Sequence, residues 1–162
     1  KILKQIIDVI DPFSGLKYPA LIELCDLYLT ELRESNDLKV LDEIQPYLDK
    51  LKNIAKNQQA FWLLVEVFLL QAKLKLICFE FQKAEKLINQ AWNTAEKYGL
   101  DRLIKKIMKE QEDFSNNLVK WKKMKERESR IAERIDLANI EDQIEILFQK
   151  RRYLQLSNKY LG

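Results

Sequence analysis

The sequence predicts an all-α fold, a stack of antiparallel helix pairs closed by a long C-terminal helical hairpin. Three observations carry this. Only three glycines and three prolines occur in 162 residues, too few for strands joined by tight turns. Leu, Ile, Lys and Glu are abundant, the composition of long helices with short connections. Apolar residues recur three and four apart along almost the whole chain, the spacing that lays one stripe along a helix. With 47% hydrophobic and 33% charged residues the chain buries a core and is not a disordered one.

The elements follow in order. Residues 1–10 place Ile2, Leu3, Ile6, Ile7 and Ile10 on one face and read as the end of an upstream helix, and with Lys1 in place of an initiator methionine the chain reads as a piece of a longer protein. Asp11–Pro19, with two prolines and Gly15, reads as a loop. A helix over about 20–34 carries Leu21, Leu24, Cys25, Tyr28 and Leu32 as its stripe, and Ser35-Asn36-Asp37 forms a turn with Asp37 as N-cap. The next helix, about 38–57, contains Pro46, where a missing donor predicts a kink or a restart. A helix over about 60–78 is apolar on nearly every side, so neighbours cover it on both sides. A turn near Glu80 leads to a helix over about 82–98, ended by Gly99 as a left-handed cap. Two longer helices, about 100–127 and 132–157, complete the chain. Residues 1–99 thus form the hairpin region, with units at about 20–59 and 60–99, and 100–162 the closing hairpin.

The stretch Asn53–Asn57 recurs as Asn93–Lys97, an offset of 40 residues that marks stacked helix–turn–helix units. Residues 61–99 resemble a tetratricopeptide repeat. Ala84, Ile88 and Ala91 match the second helix of that pattern, and Phe81 the aromatic before it. Phe68 stands for the tryptophan and Ala72 for the glycine of the first helix. Gln71, Lys75 and Glu96 depart from the expected leucine, tyrosine and proline. The strings Ala60–Glu66, Leu69–Leu74, Ala95–Leu100 and Glu133–Ala138 resemble the divergent long-helix repeat proteins common in archaea. The resemblance implies a scaffold that binds another protein or peptide, with partners in the groove lined by the first helix of each unit. It thereby points to Glu66 and Lys73 for charge recognition and to Leu69 for apolar contact.

No histidine is present, which removes imidazole bases, His-based triads and His-based metal sites; no glycine-rich phosphate loop occurs. No cofactor or metal site is expected, and the carboxylates sit beside lysines at helix-surface spacing, so the expectation is a protein that is not an enzyme. Cys25 and Cys78 form no CxxC motif and read as thiols of a reducing, cytoplasmic compartment. The run Phe61–Ala72 is too short to span a membrane. The long helix carries a heptad seam through Leu100, Leu103, Ile107, Gln111, Phe114, Leu118 and Trp121; the last helix has one through Ile140, Ile144, Leu147, Arg151 and Leu154. Phe114, Leu118, Trp121, Ile140, Ile144 and Leu147 are expected to form one buried seam within the chain, with pairing between two copies as the alternative. Residues 97–127 hold ten basic and five acidic side chains, although the whole chain has a net charge of only +3. A nucleic-acid-binding module with Trp121 stacking on a base is therefore an alternative function, and a homo-oligomerisation domain a second one; a solvated lysine face with Trp121 packed inward is the favoured reading.

Overall fold

Residues 17–150 are described in the computed structural model, and among them there are seven helices and no strand. They are α1 (Lys17–Ser35), α2 (Val40–Asn57), α3 (Phe61–Ile77), α4 (Phe81–Lys97), α5 (Asp101–Glu126), α6 (Ile131–Ala138) and α7 (Ile140–Gln149). The helix expected over 1–10, Arg151 and Leu154 lie outside the described residues. The loop expected up to Pro19 ends earlier, because Pro19 sits in the first turn of α1, where no intrahelical donor is needed. Pro46 does not break α2, which runs without interruption from Val40 to Asn57. Pro46 and Asp42 are both exposed, so water serves the carbonyl left without a donor.

One turn device joins α2 to α3, α3 to α4 and α4 to α5. Gln59, Phe79 and Gly99, spaced 20 residues apart, are left-handed, with φ of 52°, 60° and 64°. After each, a backbone N–H reaches back five residues: Ala60 to Ala55 (2.8 Å), Glu80 to Lys75 (3.0 Å) and Leu100 to Ala95 (2.8 Å). These bonds satisfy carbonyls that the helix end leaves open. Ala55 and Ala95 stand 40 residues apart, at the offset of the repeated stretch. Gly99 is expected here from its lack of a Cβ; Gln59 and Phe79 take the same backbone with a side chain, at about 1–2 kcal/mol each.

Each of the first five helices packs on its neighbour in sequence, and α3 is the centre of the molecule, touching α2, α4, α5, α6 and α7. Its all-round apolar character has this cause: one side joins the core shared with α1, α2, α6 and α7, the other, through Val65, Leu69 and Ala72, the core shared with α4 and α5. Ala84, Ala91 and Ala95 of α4 are buried, and Phe61 at the start of α3 stacks on Tyr98 after α4, with ring centroids 3.6 Å apart.

The C-terminal part differs from the predicted long hairpin. Asn139 adopts the left-handed conformation (φ 54°) and splits the last helix into α6 and α7, and this pair packs on α1 and α3. Trp121 instead meets Phe79 and Phe81 edge-on, and Phe114 meets Phe81. Trp121, Ile140, Ile144 and Leu147 are buried in one apolar cluster with Phe114 half-buried at its edge, and Leu118 is also half-buried; but the two stripes serve different neighbours and do not form one seam. Apolar spacing fixes which face of a helix is covered and leaves the covering element open.

Replacing Pro46 with Ala restores a donor inside a continuous exposed helix and raises stability by about 1–2 kcal/mol in urea unfolding; a loss of stability would show that the proline shapes α2.

Candidate functional site

The most apolar helix of the chain carries two charged residues that the fold buries. Glu66 is 1% exposed and Lys73, two turns further on, is 5% exposed. An isolated charge in such a place costs several kcal/mol, so each needs partners. Glu66 accepts from Lys106 Nζ of α5 (2.6 Å) and from Gln143 Nε2 of α7 (2.7 Å), with Lys150 Nζ at 3.3 Å from its other oxygen. Gln143 donates also to the Glu66 carbonyl (2.9 Å) and accepts from Lys106 (2.9 Å), so both ends of its amide are used. Lys73 donates to Glu110 of α5 (3.0 Å) and to the carbonyl of Ala138 (2.6 Å) at the end of α6.

These contacts have a direction. Arg134 donates to the Ile77 carbonyl (3.0 Å), Ala138 meets Lys73, Gln143 meets Glu66, and the Lys150 ammonium lies over the Trp62 ring. As the numbers rise along α6 and α7 they fall along α3, so the pair lies antiparallel to α3 in a continuous register. It is antiparallel to α1 as well. Asn36 Oδ1 accepts from the Ile131 N–H (2.8 Å) and caps the start of α6; Arg33 bonds Asp136 (2.8 Å) and Glu141 (2.6 Å); the Tyr18 hydroxyl donates to the Leu147 carbonyl (2.8 Å). The Glu66–Lys106 and Lys73–Glu110 pairs place α5 in the same direction as α3. Side chains of α1, α3 and α5 thus meet the same pair from one side, and α6–α7 lies on the face they present.

The residues expected to receive a partner are therefore already occupied. Glu66 and Lys73 face α5 and the α6–α7 pair, and no second molecule reaches them while that pair is seated. Leu69 does not reach the groove: it is 1% exposed within the α3–α4–α5 core, on the flank of α3 about 50° round from the Glu66–Lys73 line and turned toward α4 and α5. Of the repeat-packing residues, Ala72, Ile88 and Ala91 share that same core with half-buried Phe68, while Ala84 and half-buried Phe81 belong to the other. The basic residues of α5 point to solvent except for the half-buried Lys106, and Trp121 is 2% exposed, so it offers no face for a base to stack on.

Sequence reasoning missed Gln143, Lys106, Lys150, Tyr18 and Asn36. A signal existed for Gln143: it is the polar member of the stripe Ile140, Gln143, Ile144, Leu147, all four buried. A concavity over α2 and α3, edged by Leu87 of α4, is lined by Leu41, Gln45, Lys52, Gln71 and half-buried Cys78. The Oε1 atom of Gln71, where the repeat pattern expects leucine, is buried there without a partner.

Burial pushes the Cys25 thiol up to about 12, and burial with the Glu66 charge nearby pushes the Tyr18 hydroxyl well above the usual phenol range. Partial burial, followed by the carboxylates of Glu141, Glu145 and Glu23, holds Asp26 above the usual carboxylate range.

Two outcomes follow. Gln143→Leu, which keeps the volume and removes the amide, lowers stability by about 2 kcal/mol in urea unfolding, because the Glu66 carbonyl and carboxylate lose a donor; unchanged stability would show that water replaces the amide. Cys25 and Tyr18 are held in their protonated forms by the fold, so their contribution is complete below the unfolded-state values near about 8.5 and 10 and is lost as pH rises beyond them. The melting temperature falls between pH 8.5 and 10.5, and falls less steeply in the Cys25→Ala, Tyr18→Phe double variant; equal slopes would refute this origin. No family model matches the chain, and no curated protein or solved structure shows significant similarity to it.

Proposed function

We propose that the chain is a non-catalytic protein-interaction scaffold of the tetratricopeptide-like helical-repeat kind, and that its binding surface is the face formed by α1, α3 and α5. One observation supports this above the rest: the face already holds a helical pair in a set register, with Tyr18, Arg33, Lys73 and Lys106 donating to it and Asn36 and the Glu66 carboxylate accepting from it. A surface that satisfies a helix end with Lys73, an amide with Glu66 and a helix start with Asn36 recognises peptide helices by chemistry as well as by apolar burial. The ligand class is an amphipathic helix with an amide or ammonium group aimed at Glu66. Nucleic acid is the less favoured partner, since Trp121 is packed inward and the lysines of α5 sit on a solvated face.

A labelled peptide of residues 131–150 serves as the probe. In the full chain carrying Gln143→Ala and Lys150→Ala, which loosen the internal pair, the peptide binds in the micromolar range by fluorescence anisotropy, with weak dependence on salt. Adding Glu66→Gln weakens that binding at least tenfold, about 1.4 kcal/mol. Absence of binding to the loosened chain would overturn the reading, and a steep salt dependence of binding to duplex DNA instead would favour the basic helix as the functional surface.

A further inference from the structure

The α6–α7 pair is attached differently from the other helices. The α3–α4 pair joins through buried alanines, aliphatic side chains and the Phe61–Tyr98 stack. The α6–α7 pair adds to its apolar stripe a run of long-range polar contacts: Asn36 to Ile131, Arg134 to Ile77, Lys73 to Ala138, Gln143 to Glu66 and Tyr18 to Leu147. Mixed apolar and hydrogen-bonded contact of this kind is typical of surfaces that come apart and re-form.

The connection that tethers the pair uses the same device as the three turns before it: Glu128 is left-handed (φ 49°), a backbone that a side-chain-bearing residue adopts reluctantly, and the Ser129 N–H reaches back five residues to the Met124 carbonyl (3.0 Å). The stretch Lys125-Glu126-Arg127-Glu128-Ser129-Arg130 contains no glycine or proline, and its residues are compatible with helix throughout. If Glu128 returns to the helical region, α5 and α6 join into one helix and the arm is carried away from its own α1–α3–α5 face. The bonds lost outright are those local to the turn, Arg134 to Ser129 and Arg127 to Glu133, and the bond from the Ile131 N–H to Asn36, since the joined helix takes up that donor; in exchange the turn's backbone groups gain helical partners. Every other contact of the arm can be made again, atom for atom, on an identical face. The segment known to fit this face is the arm itself, and a second copy of the chain supplies it.

We propose that the α6–α7 arm exchanges between two copies of the chain, so that the α1–α3–α5 face of each receives the Gln143 amide and the Lys150 ammonium of the other at Glu66. The inference rests on the reading of that face as a helix-binding surface and names its partner. Short turns held in disfavoured geometry are where such exchange begins. The exchanged pair needs no new surface, and its population is set by protein concentration.

Arg33 and Glu141, in contact at 2.6 Å across α1 and the arm, report the exchange. The full chain carrying Arg33→Cys and Glu141→Cys, with Cys78→Ser to remove the half-buried thiol, is incubated at about 10 µM and about 1 mM and treated with a short bis-maleimide. Exchange gives a covalent dimer on denaturing gels that grows with concentration, matched by a dimer in sedimentation. Glu128→Gly, which makes the closed turn comfortable, reduces the dimer several-fold without unfolding the chain. A chain that stays monomeric at both concentrations, or a sedimenting dimer cross-linked only within each copy, overturns the proposal. A monomer whose loosened form still binds the 131–150 peptide would overturn the exchange alone; loss of peptide binding as well would overturn the helix-binding face with it.

Discussion

The arrangement depends on one buried carboxylate. Glu66 lies in the middle of the most apolar helix of the chain, and a charge there is tolerable only if donors are brought to it. Lys106 comes from α5, and Gln143 and Lys150 from the arm. The position that would be simplest to fill with leucine thus obliges three distant segments to meet at one point. An all-apolar α3 would still collapse against its neighbours, but with less to fix where along the helix the arm stops. Buried polar groups of this sort add little net stability and much register. The second such point, Lys73 against the Ala138 carbonyl, sits where the arm bends, and two fixed points suffice to define a line.

The fold was legible in the sequence to the extent that it depends on periodicity. The positions of α1 to α5 follow from apolar spacing to within a few residues, and the burial of α3 on both sides follows from its lack of a polar face. The break at Asn139 left a trace that went unread: Ile131, Ile135 and Ala138 form one stripe, and Ile140, Ile144 and Leu147, reached by a step of two, would fall on the opposite side of a continuous helix; following the second stripe alone reads as one helix. The neighbour of that helix was hidden for a deeper reason: a stripe on α5 and a stripe on α7 at similar spacing suggest each other, yet α5 spends its stripe on α4 and on Phe79 and Phe81. Tertiary partners are chosen by the whole chain, and a local pattern carries no address.

Glu66 and Lys73 were assigned to a partner groove by the repeat resemblance, but charges in an apolar helix serve a ligand-facing groove and a buried internal contact equally well. Only the position of Gln143 and Lys106 separates the two. Leu69 shows the opposite failure. It was placed by analogy with a repeat pattern, and although it shares a side of the helix with Glu66 and Lys73, an offset of about 50° is enough to carry it into the core with Val65 and Ala72.

The register between the arm and α3 gives the face a length. α3 has 17 residues, about 25 Å of helix, and the arm uses nearly all of it, from Ile77 at one end to Trp62 at the other. The first helix of the arm covers about 12 Å and the second about 15 Å, so the two together match the helix beneath them. The face therefore acts as a ruler. A straight helix of equal length would have to leave the Lys73 ammonium without the chain end that the bend at Asn139 turns toward it, and a longer one would overhang into water at Trp62. What the face holds is a helix of about five turns, interrupted once, two turns from its start.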